Sequence, residues 1–236
     1  MKKIISGLLL LSSVSFATSY FAKVEPINSY NIKSSVSGKV IYANSSLESK
    51  TVNNTMVVKL DDSVDKIDLE QSQKKLENMK QVLKLQDNTL ESFKRVSSKS
   101  QFDKDNQRIV ILNTSSTIND LETKVATLKD TIKNKNLIEK NSYIYDIAVE
   151  VGDYVSPGTL LYTAMDLTEG KVEIFIPIDD AITIKDKEIY LDDTKSDLKI
   201  SKLYTVADSK HISSYKCEII IPSPKTFSKL VKIEFK

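Results

Sequence analysis

The chain has 236 residues, a near-balanced formal charge of +2 and an ordinary hydrophobic fraction of 40%. It contains one cysteine, Cys217, and one histidine, His211, which excludes a disulfide framework and argues against a zinc site built from protein ligands. No run of lysine and arginine forms the basic patch typical of nucleic-acid binding, so no nucleic-acid partner is predicted.

Residues 1–17 have the pattern of a secretory signal peptide. A basic start, Met1-Lys2-Lys3, precedes the apolar stretch IISGLLLLSSVSF, which is too short to span a bilayer comfortably. Ser15-Phe16-Ala17 then offers small residues at the two positions that a signal peptidase reads. We predict a cleaved signal and an exported mature chain, with an uncleaved membrane anchor as the alternative. No cysteine follows the apolar stretch, so no lipid anchor is expected.

Residues 18–62 are predicted to form an N-terminal strand and half of a small β-structure. Strand-forming residues occur at Lys39–Tyr42, a turn at Asn53-Asn54, and an apolar run begins at Met56. A few short strands cannot bury enough apolar surface to be stable alone. The remaining strands must therefore come from elsewhere in the chain.

Residues 63–138 are predicted to form an antiparallel helical hairpin. No glycine occurs between Gly38 and Gly152, and no proline between Pro26 and Pro157, as long helices require. Apolar residues repeat every seven positions in two series, which is the pattern of a coiled coil: Leu69, Leu76, Leu83, Leu90 and Ile111, Ile118, Val125, Ile132. The pattern lapses in RVSSKSQFDKD, residues 95–105, which is the predicted tip.

Four polar residues are predicted to occupy core positions of this hairpin, namely Ser72, Gln86, Thr114 and Lys135. Polar core residues weaken a helix pair but can fix its register. A solvated two-helix stalk without any partner is the alternative interpretation.

Residues 139–168 are predicted to supply the missing half of the β-structure. VEVGDYVSPGTLLYTAMD, residues 149–166, contains two short strands around a turn at Gly158. SPGTLLYTAMD parallels the earlier VNNTMVVKLDD, with Asn54 at the position of Gly158. Asn tolerates the left-handed conformation better than most residues. We therefore expect the segments before and after the helices to form one sandwich.

Residues 169–236 are predicted to form a small β-barrel. Apolar and polar residues alternate in KVEIFIP, KCEIII and VKIEFK, which is typical of half-buried antiparallel strands. DLKISKLY and KEIYL add further strand candidates. Cys217 lies on a predicted buried face, so we expect it to pack in the core.

In this order, the segments resemble the HlyD-type membrane fusion family, also called periplasmic adaptor proteins. SSVSGKV resembles the opening half-motif of the family and VEVGDYVSPGTLLYTAMD its closing one. IPIDDAITIKDKEIYL and ISKLYTVADSKHISSYKCEIIIPSP resemble its barrel strands. The resemblance implies an elongated α+β fold, in which a coiled-coil hairpin interrupts a split lipoyl-like sandwich and a β-barrel follows. The membrane-proximal domain of many members is expected to be absent.

The resemblance also implies a function without catalysis or a cofactor. Such adaptors form rings, commonly hexamers, between an inner-membrane transporter and a TolC-like outer-membrane channel, and the hairpin tips meet the channel. In many members the tip carries an Arg, a Leu and a Ser. Here the candidate tip residues are Arg95, Val96, Ser98, Gln101 and Phe102, although Arg95 and Ser98 are closer than in the family pattern. A merely solvated loop is the alternative.

Four other classes of function are alternatives to this interpretation. A lipoyl or biotin carrier needs a modified lysine on the turn that the helices replace here. An enzyme is disfavoured because His211 has no accompanying Ser or Cys motif, and the pairs Asp179-Asp180 and Asp192-Asp193 are typical of solvated turns. Metal handling is disfavoured because the methionines are dispersed. An exported coiled-coil interaction protein unconnected to any transporter is the main alternative.

Overall fold

The computed structural model describes residues 18–236, which form two compact units. We call Tyr30–Met165 the hairpin unit, and residues 18–29 with Asp166–Lys236 the terminal unit. The predicted signal peptide lies outside the described residues. Across residues 18–236, no helix combines the length and the apolar character needed to cross a bilayer.

Fourteen strands and three α-helices follow one another along the described chain. The strands are β1 Ser19–Lys23, β2 Glu25–Lys33, β3 Gly38–Ala43, β4 Lys50–Val52, β5 Thr55–Leu60, β6 Asn136–Glu139, β7 Ser142–Ile147, β8 Tyr154–Val155, β9 Leu160–Pro177, β10 Ile189–Leu191, β11 Thr194–Lys195, β12 Ile200–Leu203, β13 Ser214–Pro222 and β14 Leu230–Phe235. The helices are α1 Ser63–Arg95, α2 Gln101–Asn134 and α3 Ile178–Ala181.

In the hairpin unit, strands from before the helices pair with strands from after them. The antiparallel pairs are β3 with β8, β4 with β7 and β5 with β6, and the first part of β9 also pairs with β7. The two sheets share one core that includes Val40, Leu60, Ile144 and Leu161, all inaccessible to solvent. The predicted union of the two segments is therefore confirmed.

The two turns that were matched in the sequence share a backbone conformation. Asn54 has a φ of 49° and Gly158 a φ of 92°, both in the region that favours glycine. Their strands β5 and β9 contribute Val57, Val58, Leu161 and Tyr162 to the same core. The parallel between the two segments therefore extends from sequence to structure.

The helices α1 and α2 pack along the predicted seven-residue pattern. Their least exposed residues recur at alternating steps of three and four, and Leu90, Ile118, Leu121 and Val125 are buried. At about 1.5 Å per residue, 33 and 34 residues give helices of roughly 50 Å. The second helix ends at Asn134, earlier than the predicted boundary at 138, because Asn136–Glu139 pairs with β5 instead.

A polar cluster lies where the hairpin meets the sheets. Asp62 is buried and accepts hydrogen bonds from the Asn136 amide at 2.9 Å and from Lys66 at 3.0 Å. Burial alone would raise the pKa of Asp62, but these bonds and the charge of Lys59 bring it below its usual value. Lys135, one of the predicted polar core residues, forms an ion pair with Asp65. The partly buried ion pair of Lys135 with Asp65 thus joins the end of α2 to the start of α1.

In the terminal unit, two sheets enclose a second core. One sheet has the order β1-β14-β10-β11, and in the other β13 pairs with both β12 and the second part of β9. The predicted alternating residues of β9, β13 and β14 are buried with the exception of Ile221, which packs against the core while partly exposed. Cys217 is buried as predicted, and burial raises the pKa of its thiol to about 12.

Two elements of this unit differ from the sequence predictions. β1 was grouped with the first sandwich half, but it pairs with β14 because Ala22 packs in the core of the terminal unit. IPIDDAITI was matched to strands, yet Ile178–Ala181 forms the short helix α3 after β9 ends at Pro177. Ala181 and Ile184 are buried by this turn of the chain.

Candidate functional site

The connection between α1 and α2 is a tight five-residue loop, residues 96–100. It was predicted to be longer, spanning residues 95–105, because the seven-residue pattern lapses there. The Lys99 amide donates to the Val96 carbonyl at 3.2 Å, and the Lys99 ammonium lies 4.4 Å from the centre of the Phe93 ring. A cation over an aromatic ring is attracted to it, so Lys99 folds the loop back over the last turn of α1.

A capping box starts α2 and explains why the loop is short. The Asp103 amide donates to Ser100 Oγ at 3.2 Å, and the Ser100 amide donates to the Asp103 carboxylate at 3.1 Å. The Ser100 hydroxyl also donates to the Asp103 carboxylate at 3.0 Å, and this bond together with that from the Ser100 amide holds the pKa of Asp103 below its usual value. The spacing of Ser100 and Asp103 is the sequence signature of a helix start, and it was overlooked when the tip was predicted.

The five predicted tip residues are all exposed at this end of the hairpin. Arg95 ends α1, Val96 and Ser98 lie in the loop, and Gln101 and Phe102 begin α2. Phe102 is 74% exposed, which is high for a large aromatic side chain. The structure thus brings the predicted residues together on one surface.

These residues differ in how free their polar groups are. Gln101 is engaged, because its amide donates to Asp105 at 2.9 Å, and Arg108 donates to the same carboxylate at 2.9 Å. Arg95 and Ser98 form no side-chain hydrogen bond or ion pair within residues 18–236. Arg95 and Ser98 are therefore better placed than Gln101 to bind an external acceptor.

The exposed side chains of the tip include one cation and two large apolar groups. The tip presents the Arg95 guanidinium beside two exposed apolar side chains, Val96 and Phe102. Such a surface suits a partner with carbonyl or carboxylate acceptors around an apolar depression. Within residues 18–236, no three His, Cys, Asp or Glu side chains are grouped as metal ligands.

The polar core residues of the hairpin are placed as predicted but satisfied unequally. Ser72 and Thr114 are buried, whereas the Gln86 side-chain oxygen is buried without a hydrogen-bond partner. Gln107 donates its amide to the Gln86 backbone carbonyl at 3.1 Å. A polar layer of Gln86 and Gln107 therefore interrupts the apolar seam between the tip and the middle of the hairpin.

Comparison with known proteins gives no family-model match and no match among curated sequences. Solved structures do match. MacA from Actinobacillus actinomycetemcomitans aligns with a TM-score of 0.71 at 15% identity, covering 93% of this chain and 78% of MacA. A membrane fusion protein of Streptococcus pneumoniae R6 aligns with a TM-score of 0.69 at 9% identity, covering 93% of this chain and 98% of that protein.

A chimera of MacA and MexA that contains the α-hairpin domain of Pseudomonas aeruginosa MexA also matches. Its TM-score is 0.66 at 14% identity, covering 93% of this chain and 80% of the chimera. At these identities the likeness establishes the fold. That fold, a long helical hairpin inserted between β-strands with a further β unit, is the fold of membrane fusion proteins.

Proposed function

We propose that this chain is an HlyD-type periplasmic adaptor that links an inner-membrane transporter to a TolC-like outer-membrane channel for efflux or secretion. In this proposal the sandwich is lipoyl-like, the terminal unit is the adaptor β-barrel, and the chain catalyses no reaction. It is exported by a cleaved signal peptide, works in the periplasm, and assembles as a hexameric ring.

The observation that supports the proposal most directly is the hairpin tip. A hairpin of two 50 Å helices ends in a capped, five-residue loop whose side chains Arg95, Val96, Ser98 and Phe102 are exposed. The exposure of Phe102 and Val96 does not stabilise the folded chain, because apolar side chains lower the free energy of folding only when they are buried. A binding role for the tip accounts for their exposure.

A cysteine cross-link tests the proposed channel contact. Ser98→Cys places a thiol on the tip, and Ser116→Cys places one on the exposed face of the α2 shaft. The native Cys217 should stay unreactive, because burial raises the pKa of its thiol to about 12. We expect Ser98→Cys alone to cross-link to an outer-membrane channel in cells. Equal cross-linking from both positions, or from neither, would contradict the tip assignment.

Charge reversal at Arg95 tests whether the contact matters for transport. Arg95→Glu should abolish transport of the substrate through the assembly. The circular dichroism spectrum should stay unchanged, because Arg95 makes no ion pair within residues 18–236. Lys84→Glu, an exposed position on the shaft, is the matched control. If transport survives Arg95→Glu with an unchanged circular dichroism spectrum, the tip assignment is wrong. If neither a transporter nor a channel copurifies in mild detergent, the exported coiled-coil interaction protein becomes the better interpretation.

A further inference from the structure

The terminal unit contains a groove that the proposed adaptor role does not use. Its volume is about 770 Å³, and residues 185–189, residues 195–201 and Leu203 line it. The groove runs beside β12, and β11 lies across from it in the other sheet. It is therefore a gap between two sheets at their edge strands.

Both strands beside the groove have an unpaired edge. Within residues 18–236, β12 pairs only with β13, and β11 pairs only with β10. Beyond the end of β12, the Tyr204 amide still donates to Lys216 of β13 at 2.9 Å. Because amides alternate along a strand, the Leu203 amide points to the open side. An open edge with free amides and carbonyls is a template for an additional strand.

The groove has an apolar floor. Ile189 is buried, and Leu198, Ile200 and Leu203 are partly buried against the core of the terminal unit. Side chains of an added strand alternate between two faces. Alternate apolar side chains of such a strand would cover this floor.

The charge along β12 indicates which kind of strand fits. Residues 199–203, Lys-Ile-Ser-Lys-Leu, contain two lysines and no acidic residue. Lys199 forms no ion pair within the described chain, and Lys202 lies 3.5 Å from Glu218 with its side chain 65% exposed. A second copy of β12 would bring lysines against lysines, which is unfavourable. An acidic segment would complement them.

The other wall of the groove, residues 185–189 and 195–197, carries both charges and therefore does not change the preference for an acidic segment. Lys195 forms an ion pair with Glu188 at 2.6 Å, so the two charges compensate each other. Lys185 and Lys187 lie there together with Asp186 and Asp197. The net charge of the lining therefore comes from the β12 side, where Lys199 lies.

We propose that this groove binds an extended acidic segment of a partner protein, which adds to the edge of β12 as an antiparallel or parallel strand. Backbone hydrogen bonds to β12 give affinity, alternate apolar side chains cover Ile200 and Leu203, and a carboxylate meets Lys199, which lines the groove. This proposal does not depend on the adaptor function, because it is argued only from the groove lining and the unpaired edge of β12.

Peptide binding to the full chain tests the proposal. The probe is a fluorescein-labelled octapeptide of alternating valine and glutamate, and fluorescence anisotropy measures its binding. We expect saturable binding that weakens at least tenfold in Lys199→Glu, while the control Lys225→Glu binds as the wild type does. An alternating valine–lysine octapeptide should not bind. Absence of saturable binding by the acidic peptide, or equal binding of the basic one, would overturn the proposal.

Hydrogen exchange separates strand addition from simple charge attraction. Bound peptide should slow exchange of the Leu203 amide and leave the amides of β4, an edge strand of the hairpin unit, unchanged. Binding without protection of β12 would show that the segment does not add as a strand. Vesicles of anionic phosphatidylglycerol provide the last arm. If the vesicles compete fully with the peptide, and if Lys199→Glu also abolishes vesicle binding, the groove is a lipid site and the proposal is wrong.

Discussion

The two ends of the hairpin differ in how their charged side chains are placed. At the base, buried or partly buried carboxylates are paired, whereas at the tip the exposed Arg95 is unpaired within residues 18–236. Asp62 at the base accepts from Asn136 and Lys66, and Asp65 pairs with Lys135. Arg95 at the tip has no partner within residues 18–236, and Phe102 is exposed beside it. Similar residue types therefore stabilise one end and are available for binding at the other. Stability measurements should distinguish the two ends.

The largest loss of stability should come from the helix core in the half nearer the base. Leu121 is 8% exposed, so Leu121→Ala should lower the free energy of unfolding by about 2–4 kcal/mol, through lost burial and a residual cavity. Leu112→Ala is the control, because Leu112 on the same helix is 67% exposed. Urea denaturation followed by circular dichroism measures both. Similar losses for the two variants would contradict the packing described here.

The second largest loss of stability should come from removing the buried carboxylate at the base of the hairpin. Asp62→Ala should cost about 1–3 kcal/mol, because Asn136 and Lys66 lose a buried acceptor. Asp87→Ala on the exposed face of α1 should change stability by less than about 0.5 kcal/mol. The same urea titration provides the comparison.

Acid should remove the effect of Asp62. Its pKa is lowered in the folded chain, so its contribution is present above the unfolded value of about 3.9 and is lost as the pH falls through the folded value. The difference between wild type and Asp62→Ala should therefore shrink between pH 6 and pH 3. A constant difference would show that Asp62 acts by packing rather than by charge.

Loss of the capping box at the tip should reduce stability less than loss of Asp62, and only near the start of α2. Ser100→Ala removes the N-cap of α2 and should cost about 1 kcal/mol in local opening. Amides at the start of α2 should then exchange about fivefold faster, while those near Val125 stay unchanged. Ser97→Ala, an exposed loop position, is the control. Faster exchange along the entire helix would show that the cap stabilises more than the tip.

The smallest stability effect should be at the predicted binding residues. Phe102→Ser should change the free energy of unfolding by less than about 0.5 kcal/mol, because Phe102 is 74% exposed. Binding to an outer-membrane channel should nevertheless fall. A large stability loss here would mean that Phe102 packs within the hairpin and is not available to a partner.

The helix seams and the alternating strands could be predicted because each depends on local periodicity. Leu83, Leu90, Ile118 and Val125 repeat at seven residues, and the structure packs them along one interface. The correspondence of the turns at Asn54 and Gly158 could also be predicted, because Asn and Gly are the residues that best tolerate the positive φ found at both positions. Such features are set by residues close together in the sequence.

Features that depend on distant residues were missed or misplaced. The pairing of β1 with β14 joins residues more than 200 positions apart, and nothing in SYFAK specifies that partner. The ion pair of Asp65 with Lys135 could not be seen either, because Lys135 was interpreted only as an imperfect core residue. At the tip, the exposed residues were identified, but the loop was made too long because the signature of Ser100 and Asp103 was not used.

The strand ladders between β3, β4, β5 and β6, β7, β8 have a consequence for how the hairpin unit can be divided. Each of these ladders joins a residue before α1 to one after α2, so the two parts of the unit are held together without the peptide bonds of the tip. Two separately produced pieces, divided between Ser97 and Ser98, should reassociate into a native-like noncovalent complex. The chain is in this sense a complementation pair whose two parts are covalently linked by the loop at the tip of the hairpin.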